Sequence, residues 1–129
     1  VGPLALAIAA RITADAAVAD RHLAEAEAVV AKGGLAHNHL WLRRNGIEIG
    51  WARRDPAMIE HHAEALRAAF RDETAPLIDF LCERAAVMAD HLRGTADDSW
   101  CGRVGALRAT AANHRLVVLD RALAAIDRG

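Results

Sequence analysis

Apolar residues recur at intervals of three and four along nearly the whole chain, which is the spacing of one face of an α-helix. Strand patterns are nearly absent, because β-branched residues do not alternate with polar ones and only three prolines interrupt the sequence. Alanine occupies 31 of the 129 positions and favours helix, since it loses no side-chain entropy there. These features predict an all-α fold.

Turn and capping residues divide this pattern into about seven helices. Gly33-Gly34 is expected to stop the second helix, and Asn38 to cap the third. Asp55-Pro56 is a typical N-cap and first-turn pair, and Gly94 is a stop signal. Residues 95–98 (Thr-Ala-Asp-Asp) resemble a capping box with Asp in place of Glu. The predicted helices run near Leu4–Ile12, Ile12–Val30, Asn38–Arg54, Met58–Phe70, Leu77–Leu92, Trp100–Ala111 and Leu116–Ile126.

Some of these helices match one another when the sequence is shifted by about 40 residues. A shift of 39 places residues 22–26 on 61–65, and a further shift of 41 places 65–68 on 106–109. A repeat of about 40 residues that contains two helices is typical of solenoids built from helical hairpins. We therefore predict one domain over residues 1–129, a right-handed array of about three antiparallel hairpins. An irregular helical bundle is the alternative.

The third helix is apolar on two sides. Gly46 and Gly50 form a flat surface between these sides, where a neighbouring helix could approach closely, and Arg44 and Glu48 could form an ion pair. Such a helix should lie centrally. Its predicted sides are Leu40, Ile47 and Trp51 on one and Leu42 and Ile49 on the other.

The stripes of all the helices together predict a core. Truncation of Phe70 or Leu81 should be the most damaging change in it. The expected core residues are Leu40, Ile47, Trp51, Ile59, Leu66, Phe70, Leu81, Val87, Met88, Leu107 and Leu123.

Charge and cysteine content exclude several classes of partner. A formal charge of −1 gives no field that would attract nucleic acid or an anionic membrane. The apolar run at residues 1–10 is too short to span a bilayer. Cys82 and Cys101 lack a C-x-x-C spacing, which favours reduced thiols in a cytoplasmic protein.

The seven histidines do not have the spacing of a metal site. His61 and His62 diverge by about 100° on a helix, and no pair has the i, i+4 spacing that chelates from one helix face. His62 lies on an apolar stripe and is predicted to be a core histidine. From this spacing we expect no metal, and we also expect no cofactor. We expect no enzymatic activity, since neither cysteine has a positioned base. The alternative is a free-standing bundle that binds a small ligand or metal through His37, His39 and His62.

The stretch from His37 to Ala89, about 50 of the 129 residues, resembles the tetratricopeptide-like C-terminal helical region of bacterial class III adenylate and guanylate cyclase-type multidomain regulators. Such regions hold no nucleotide site, so the resemblance implies a non-catalytic regulatory segment. The residues that carry it are His37, Asn38, Arg44, Ile47, Glu48, Asp55, Glu60, Ala63, Ala65, Leu66, Thr74, Pro76, Leu77, Asp79, Phe80, Arg84 and Ala85.

The predicted function is that of a protein-interaction module in a larger signalling regulator. The partner would be another domain of the same chain or a separate protein, and Arg43 and Arg53 are the predicted exposed interaction residues. A first residue other than Met suggests a piece of a longer chain, and the polar finish at Asp127-Arg128-Gly129 suggests that this piece is its C-terminal part. The short apolar first helix suggests that a second copy can pair there to form a homodimer.

Overall fold

The computed structural model describes residues 3–33 and 36–128, and within these ranges it contains seven α-helices and no strand. The all-α class is therefore confirmed. No helix in this part of the chain is both long and apolar enough to cross a membrane. The helices are α1 (Pro3–Ile12), α2 (Ala16–Ala31), α3 (Ala36–Ala52), α4 (Pro56–Ala69), α5 (Pro76–Arg93), α6 (Trp100–Asn113) and α7 (Val117–Arg128).

Several helix boundaries follow the predicted turn chemistry. The Asp55 side chain accepts a hydrogen bond from the Met58 amide at 3.1 Å, and Pro56 occupies the first turn of α4. Gly94 ends α5 in the left-handed conformation, with φ +69°. Gly33 has φ +105° just after α2, while Gly34 lies outside the described residues. Glycine adopts such angles without strain, so these stop signals are confirmed.

Three boundaries differ from the prediction. Asn38 lies inside α3, which already begins at Ala36. The predicted capping box at 95–98 is wrong, because Asp97 accepts a hydrogen bond from the Ser99 amide at 2.9 Å in a local turn before α6. Asp15 caps α2 by accepting from the Ala17 amide, so a short break separates α1 from α2. A side-chain turn and a helix cap compete for the same donors, and sequence spacing does not decide between them.

Helices that are consecutive in the chain pack against one another. Contacts also join α1 to α3, α3 to α5, and α5 to α7. In the described part of the chain, the backbones of α2, α4 and α6 pack only against the helices that precede and follow them, although the side chain of His61 on α4 reaches Glu27 on α2. The odd-numbered helices therefore form a continuous row, and α3 is central to it.

Two hydrophobic clusters lie on opposite sides of α3, as its sequence predicts. The alanine cluster joins α1, α2 and α3, and the large-residue cluster joins α3 to α7. The alanine cluster is Leu6, Ala7, Ala10, Ala19, Leu23, Ala26, Val30, Leu42 and Ile49. The large-residue cluster is Ile47, Ile59, Leu66, Ile78, Phe80, Leu81, Cys82, Ala85, Val87, Met88, Ala89, Val104, Leu107, Ala111, Leu119, Ala122, Leu123 and Ile126.

Eight of the eleven predicted core residues are buried, and the other three pack against the large-residue cluster with part of their surface exposed. These three are Leu40, Trp51 and Phe70. Phe70 caps the C-terminal end of α4. Leu81, which is 1% exposed, is the better of the two candidates for the most damaging truncation.

The two glycines of α3 let α4 approach closely, also as predicted. A Cβ atom at Gly46 would lie 2.4 Å from the ring of His62, and one at Gly50 would lie 2.9 Å from the Ile59 side chain. Since real Cβ contacts are not this short, any larger residue would force these side chains of α4, or α4 itself, to shift. The imidazole of His62 therefore lies against the α3 backbone.

Candidate interaction groove and a buried polar cluster

An open apolar groove lies where α3, the start of α5 and the start of α7 meet. Its volume is about 270 Å³, slightly below the usual range for ligand pockets. Three of its side chains are exposed although they are large and apolar: Leu77, Val117 and Val118. The α5–α7 groove is lined by Leu40, Arg44, Leu77, Leu81, Arg115, Leu116, Val117, Val118 and Leu119.

A second, more apolar pocket of about 210 Å³ adjoins this groove between α5 and the end of α6. The two share Leu77 and Leu116, so together they form one apolar surface around the helix ends. The second pocket is lined by Pro76, Leu77, Phe80, Thr110, His114 and Leu116.

The charged residues that line the α5–α7 groove are two arginines, and none of its described lining residues is acidic. Arg44 lies over the ring of Trp41, with its guanidinium carbon 5.3 Å from the ring centroid. Burial, followed by the charge of Arg11, lowers the pKa of Arg44. Its Nε atom is buried and has no hydrogen-bond partner. Arg115 lies exposed in the α6–α7 turn with φ +55°. The groove thus combines apolar walls with positive charge.

Behind the groove lies Arg84, which is 1% exposed. Its Nε donates to the Leu119 carbonyl at 2.8 Å, and its Nη1 lies 2.7 Å from the Glu48 carboxylate. The predicted pairing of Arg44 with Glu48 is therefore wrong. A fully buried guanidinium needs a carboxylate beside it, and the tertiary fold gives Glu48 to Arg84. This interaction ties α3, α5 and α7 together directly behind the groove.

A second polar group, the His–Glu cluster, joins α2, α3 and α4. It consists of Glu27, Arg43, His61 and His62. Arg43 Nη1 contacts Glu27 Oε1 at 2.5 Å and His62 Nδ1 at 3.1 Å. His61 Nε2 lies 3.3 Å from the same Glu27 oxygen. Each of the three helices therefore contributes a side chain to one compact cluster.

The environment of the cluster shifts the pKa of two of its members. Burial, assisted by the charge of Arg43, lowers the pKa of His62 to about 4. His62 is therefore a neutral, buried histidine at pH 7, which confirms the predicted core position. Burial alone would raise the pKa of Glu27, but hydrogen bonds from Arg43 and His61 outweigh it and lower that pKa.

The predicted interaction residues Arg43 and Arg53 both form ion pairs within the chain. Arg43 is only 11% exposed at its side chain, so the prediction that it is exposed is wrong. Arg53 Nη1 pairs with Asp20 at 2.8 Å and its Nη2 donates to the Ala16 carbonyl at 3.2 Å. The partners lie on α2, and sequence spacing gave no information on how α2 packs beside α3.

The remaining candidate side chains are dispersed. The described residues contain one group of three potential metal ligands, Glu27, His61 and His62, and so the alternative set of His37, His39 and His62 is not assembled. Cys82 is a small buried residue whose burial raises its pKa. Cys101 is free and exposed.

Sequence reasoning did not find the α5–α7 groove. The signal was present in Leu77 and in the run from Leu116 to Leu119, which contain more apolar positions than one buried stripe needs.

Comparisons of the chain with protein-family models, with curated proteins and with solved structures found no match.

Proposed function

We propose that this chain is a non-catalytic helical-repeat module that binds a partner protein in the α5–α7 groove. The observation that carries the proposal is the groove itself, where exposed Leu77, Val117 and Val118 stand beside Arg44 and Arg115. Exposed apolar side chains collected in one concave surface are typical of interaction sites rather than of ordinary surface.

The arrangement of helices supports a tetratricopeptide-like array. Helices α3, α5 and α7 begin at Ala36, Pro76 and Val117, so successive starts are 40 and 41 residues apart. These intervals agree with the 40-residue sequence shift. In this proposal α1–α2, α3–α4 and α5–α6 are the antiparallel hairpins of a right-handed array, and α7 packs against the last of them. Arrays of this kind present extended surfaces to partners.

The lining of the groove indicates the chemistry of the partner. Leu77, Val117 and Val118 favour aliphatic or aromatic side chains, whereas Arg44 and Arg115 favour a carboxylate. The occupant that we propose is a protein segment with two or three apolar residues next to an acidic one. The resemblance to cyclase-type regulators supports a role for this binding in a cytoplasmic signalling protein, and in this proposal the segment belongs to another domain or to a separate protein.

A peptide-display selection against the purified chain would test the proposal. We expect the selected peptides to combine acidic and apolar residues. Methyl NMR spectra should then show the largest peptide-induced shifts at Leu40, Leu77 and Val118. Val117→Glu and Arg115→Glu should each weaken binding of a selected peptide about tenfold or more.

Arg21→Glu is the matched control, because Arg21 is an exposed arginine on α2, away from the groove. It should leave the affinity unchanged, and far-UV circular dichroism should show the same helix content in all variants. Selected peptides without acidic residues, or peptides that bind Val117→Glu as tightly as the parent chain, would overturn the proposal.

A further inference from the structure

The His–Glu cluster offers three metal-ligating groups at one point. A carboxylate oxygen of Glu27 and one ring nitrogen each from His61 and His62 lie within 4.8 Å of one another. Adjacent histidines on a helix point in different directions, yet the ring centroids of His61 and His62 are only 5.0 Å apart, with the rings edge to face. They can serve one ion because His61 reaches it with Nε2 and His62 with Nδ1.

We propose that Glu27, His61 and His62 form a binding site for a transition-metal dication of the zinc type. Two imidazoles and a carboxylate form a ligand set that zinc commonly uses, with a fourth position left for water. Magnesium and calcium are disfavoured, because they prefer sites made of oxygen atoms. This site is separate from the α5–α7 groove and does not depend on the proposed function.

The distances need only a small adjustment. Zinc bonds to nitrogen and oxygen of about 2.0 to 2.2 Å place tetrahedral ligand atoms about 3.4 Å apart. The distance from His61 Nε2 to Glu27 Oε1 is already 3.3 Å. The remaining distances are at most 4.8 Å, so each must close by no more than about 1.4 Å, which is within the rotamer freedom of the two partly exposed side chains, Glu27 and His61.

His62 supplies the fixed ligand. The Cδ2–Nε2 edge of its ring lies against Gly46, where a Cβ atom would come within 2.4 Å. This contact leaves Nδ1 directed towards the cluster, where it meets Arg43. One rigid ligand and two adjustable ones can adapt to the ion without moving the helices.

The site already holds a cation. The Arg43 guanidinium contacts both Glu27 and His62, two of the three proposed ligands. A metal ion would take the place of this guanidinium, and Arg43 would turn towards solvent. Its buried Nε has no hydrogen-bond partner, so no hydrogen bond at Nε has to break when Arg43 moves. Arg43 is therefore a competitor of the metal.

Isothermal titration of the untagged, chelator-treated chain with zinc alone would test the site. We expect one zinc ion per chain. His61→Gln and Glu27→Gln should each weaken the affinity about tenfold or more, whereas Arg43→Gln should strengthen it because the competing cation is gone. His114→Gln, at an exposed histidine that follows α6, is the matched control and should change nothing.

His61 is exposed, so its replacement leaves the core intact and reports on the ligand alone. Far-UV circular dichroism checks the fold of each variant. The proposal is overturned by the absence of zinc binding in both the parent chain and Arg43→Gln. It is overturned equally by binding that His61→Gln does not weaken, or by weaker binding in a folded Arg43→Gln variant.

Discussion

The two hydrophobic clusters on either side of α3 are built in different ways. Four of the nine residues of the alanine cluster are alanine, against four of the eighteen in the large-residue cluster. The first cluster gains its contacts because thin helices approach closely, and the second because large side chains fill the space between helices. Among the described residues, Arg84 is the buried charged side chain, and it lies on α5 beside the large-residue cluster. The two clusters should therefore be destabilised by opposite kinds of substitution.

The largest effect is expected at the buried charge of the large-residue cluster. Arg84→Ala leaves the Glu48 carboxylate, 15% exposed, without its cation, and removes the donor to the Leu119 carbonyl. Loss of one partner of a buried ion pair destabilises by about 3 to 5 kcal/mol. Urea unfolding would measure this difference. The double variant Arg84→Met with Glu48→Gln should recover much of it, and a loss below about 1 kcal/mol in the single variant would contradict the importance of the pair.

Truncation of a large side chain comes next. Leu66 is fully buried, so Leu66→Ala should lower the free energy of unfolding by about 2 to 5 kcal/mol through lost burial and a residual cavity. Leu77→Ala makes the same chemical change at a side chain that is 45% exposed, and it should cost far less. Thermal unfolding of the two variants would compare them. Equal losses would show that the cluster is not packed as described.

Acid should weaken the contact between α3 and α4. The pKa of His62 falls from 6.5 to about 4 on folding, so between these values the unfolded chain binds a proton that the folded chain does not. Stability should therefore decrease as the pH falls from about 6.5 to about 4, by about 3 kcal/mol in total. Urea unfolding over this range in the presence of a chelator would measure the slope. His62→Gln should flatten it, and an unchanged slope in that variant would assign the effect to other groups.

The smallest of these effects is expected in the alanine cluster, where enlarging a side chain, rather than truncating one, should be destabilising. Ala26 is fully buried on α2, so Ala26→Leu should force the helices apart and cost about 1 to 3 kcal/mol. Ala24→Leu on the exposed face of the same helix is the matched control and should be nearly neutral. If Ala26→Leu were also neutral, close packing would not distinguish the two clusters.

The features that sequence predicted well are local ones. The two sides of α3 follow from residue spacing alone, and so does the surface at Gly46 that receives His62. Asp55 caps α4 through a hydrogen bond within one turn, which a short sequence pattern is enough to indicate. In each case the interacting groups are fixed by the helical repeat or by neighbours in the chain.

The polar contacts were harder to predict, because they join helices that are distant in sequence. Glu48 is four residues from Arg44, yet it pairs with Arg84 on α5. Arg43 was predicted to be exposed, because the spacing of residues within α3 does not indicate that α2 and α4 supply its partners. One signal was available: Arg84 lies on the same stripe as Leu81 and Met88, and an arginine in an apolar stripe must find a buried partner.

The central position of α3 also bears on how the molecule opens. Ile47 and Ile49 are two residues apart and belong to different clusters. Neither cluster can come apart without uncovering one side of this helix, so the two should unfold as one cooperative unit. Amide hydrogens in the middle of α3 should then exchange with solvent only through global unfolding, while those in the first turn of α1 and the last turn of α7 exchange through local fraying.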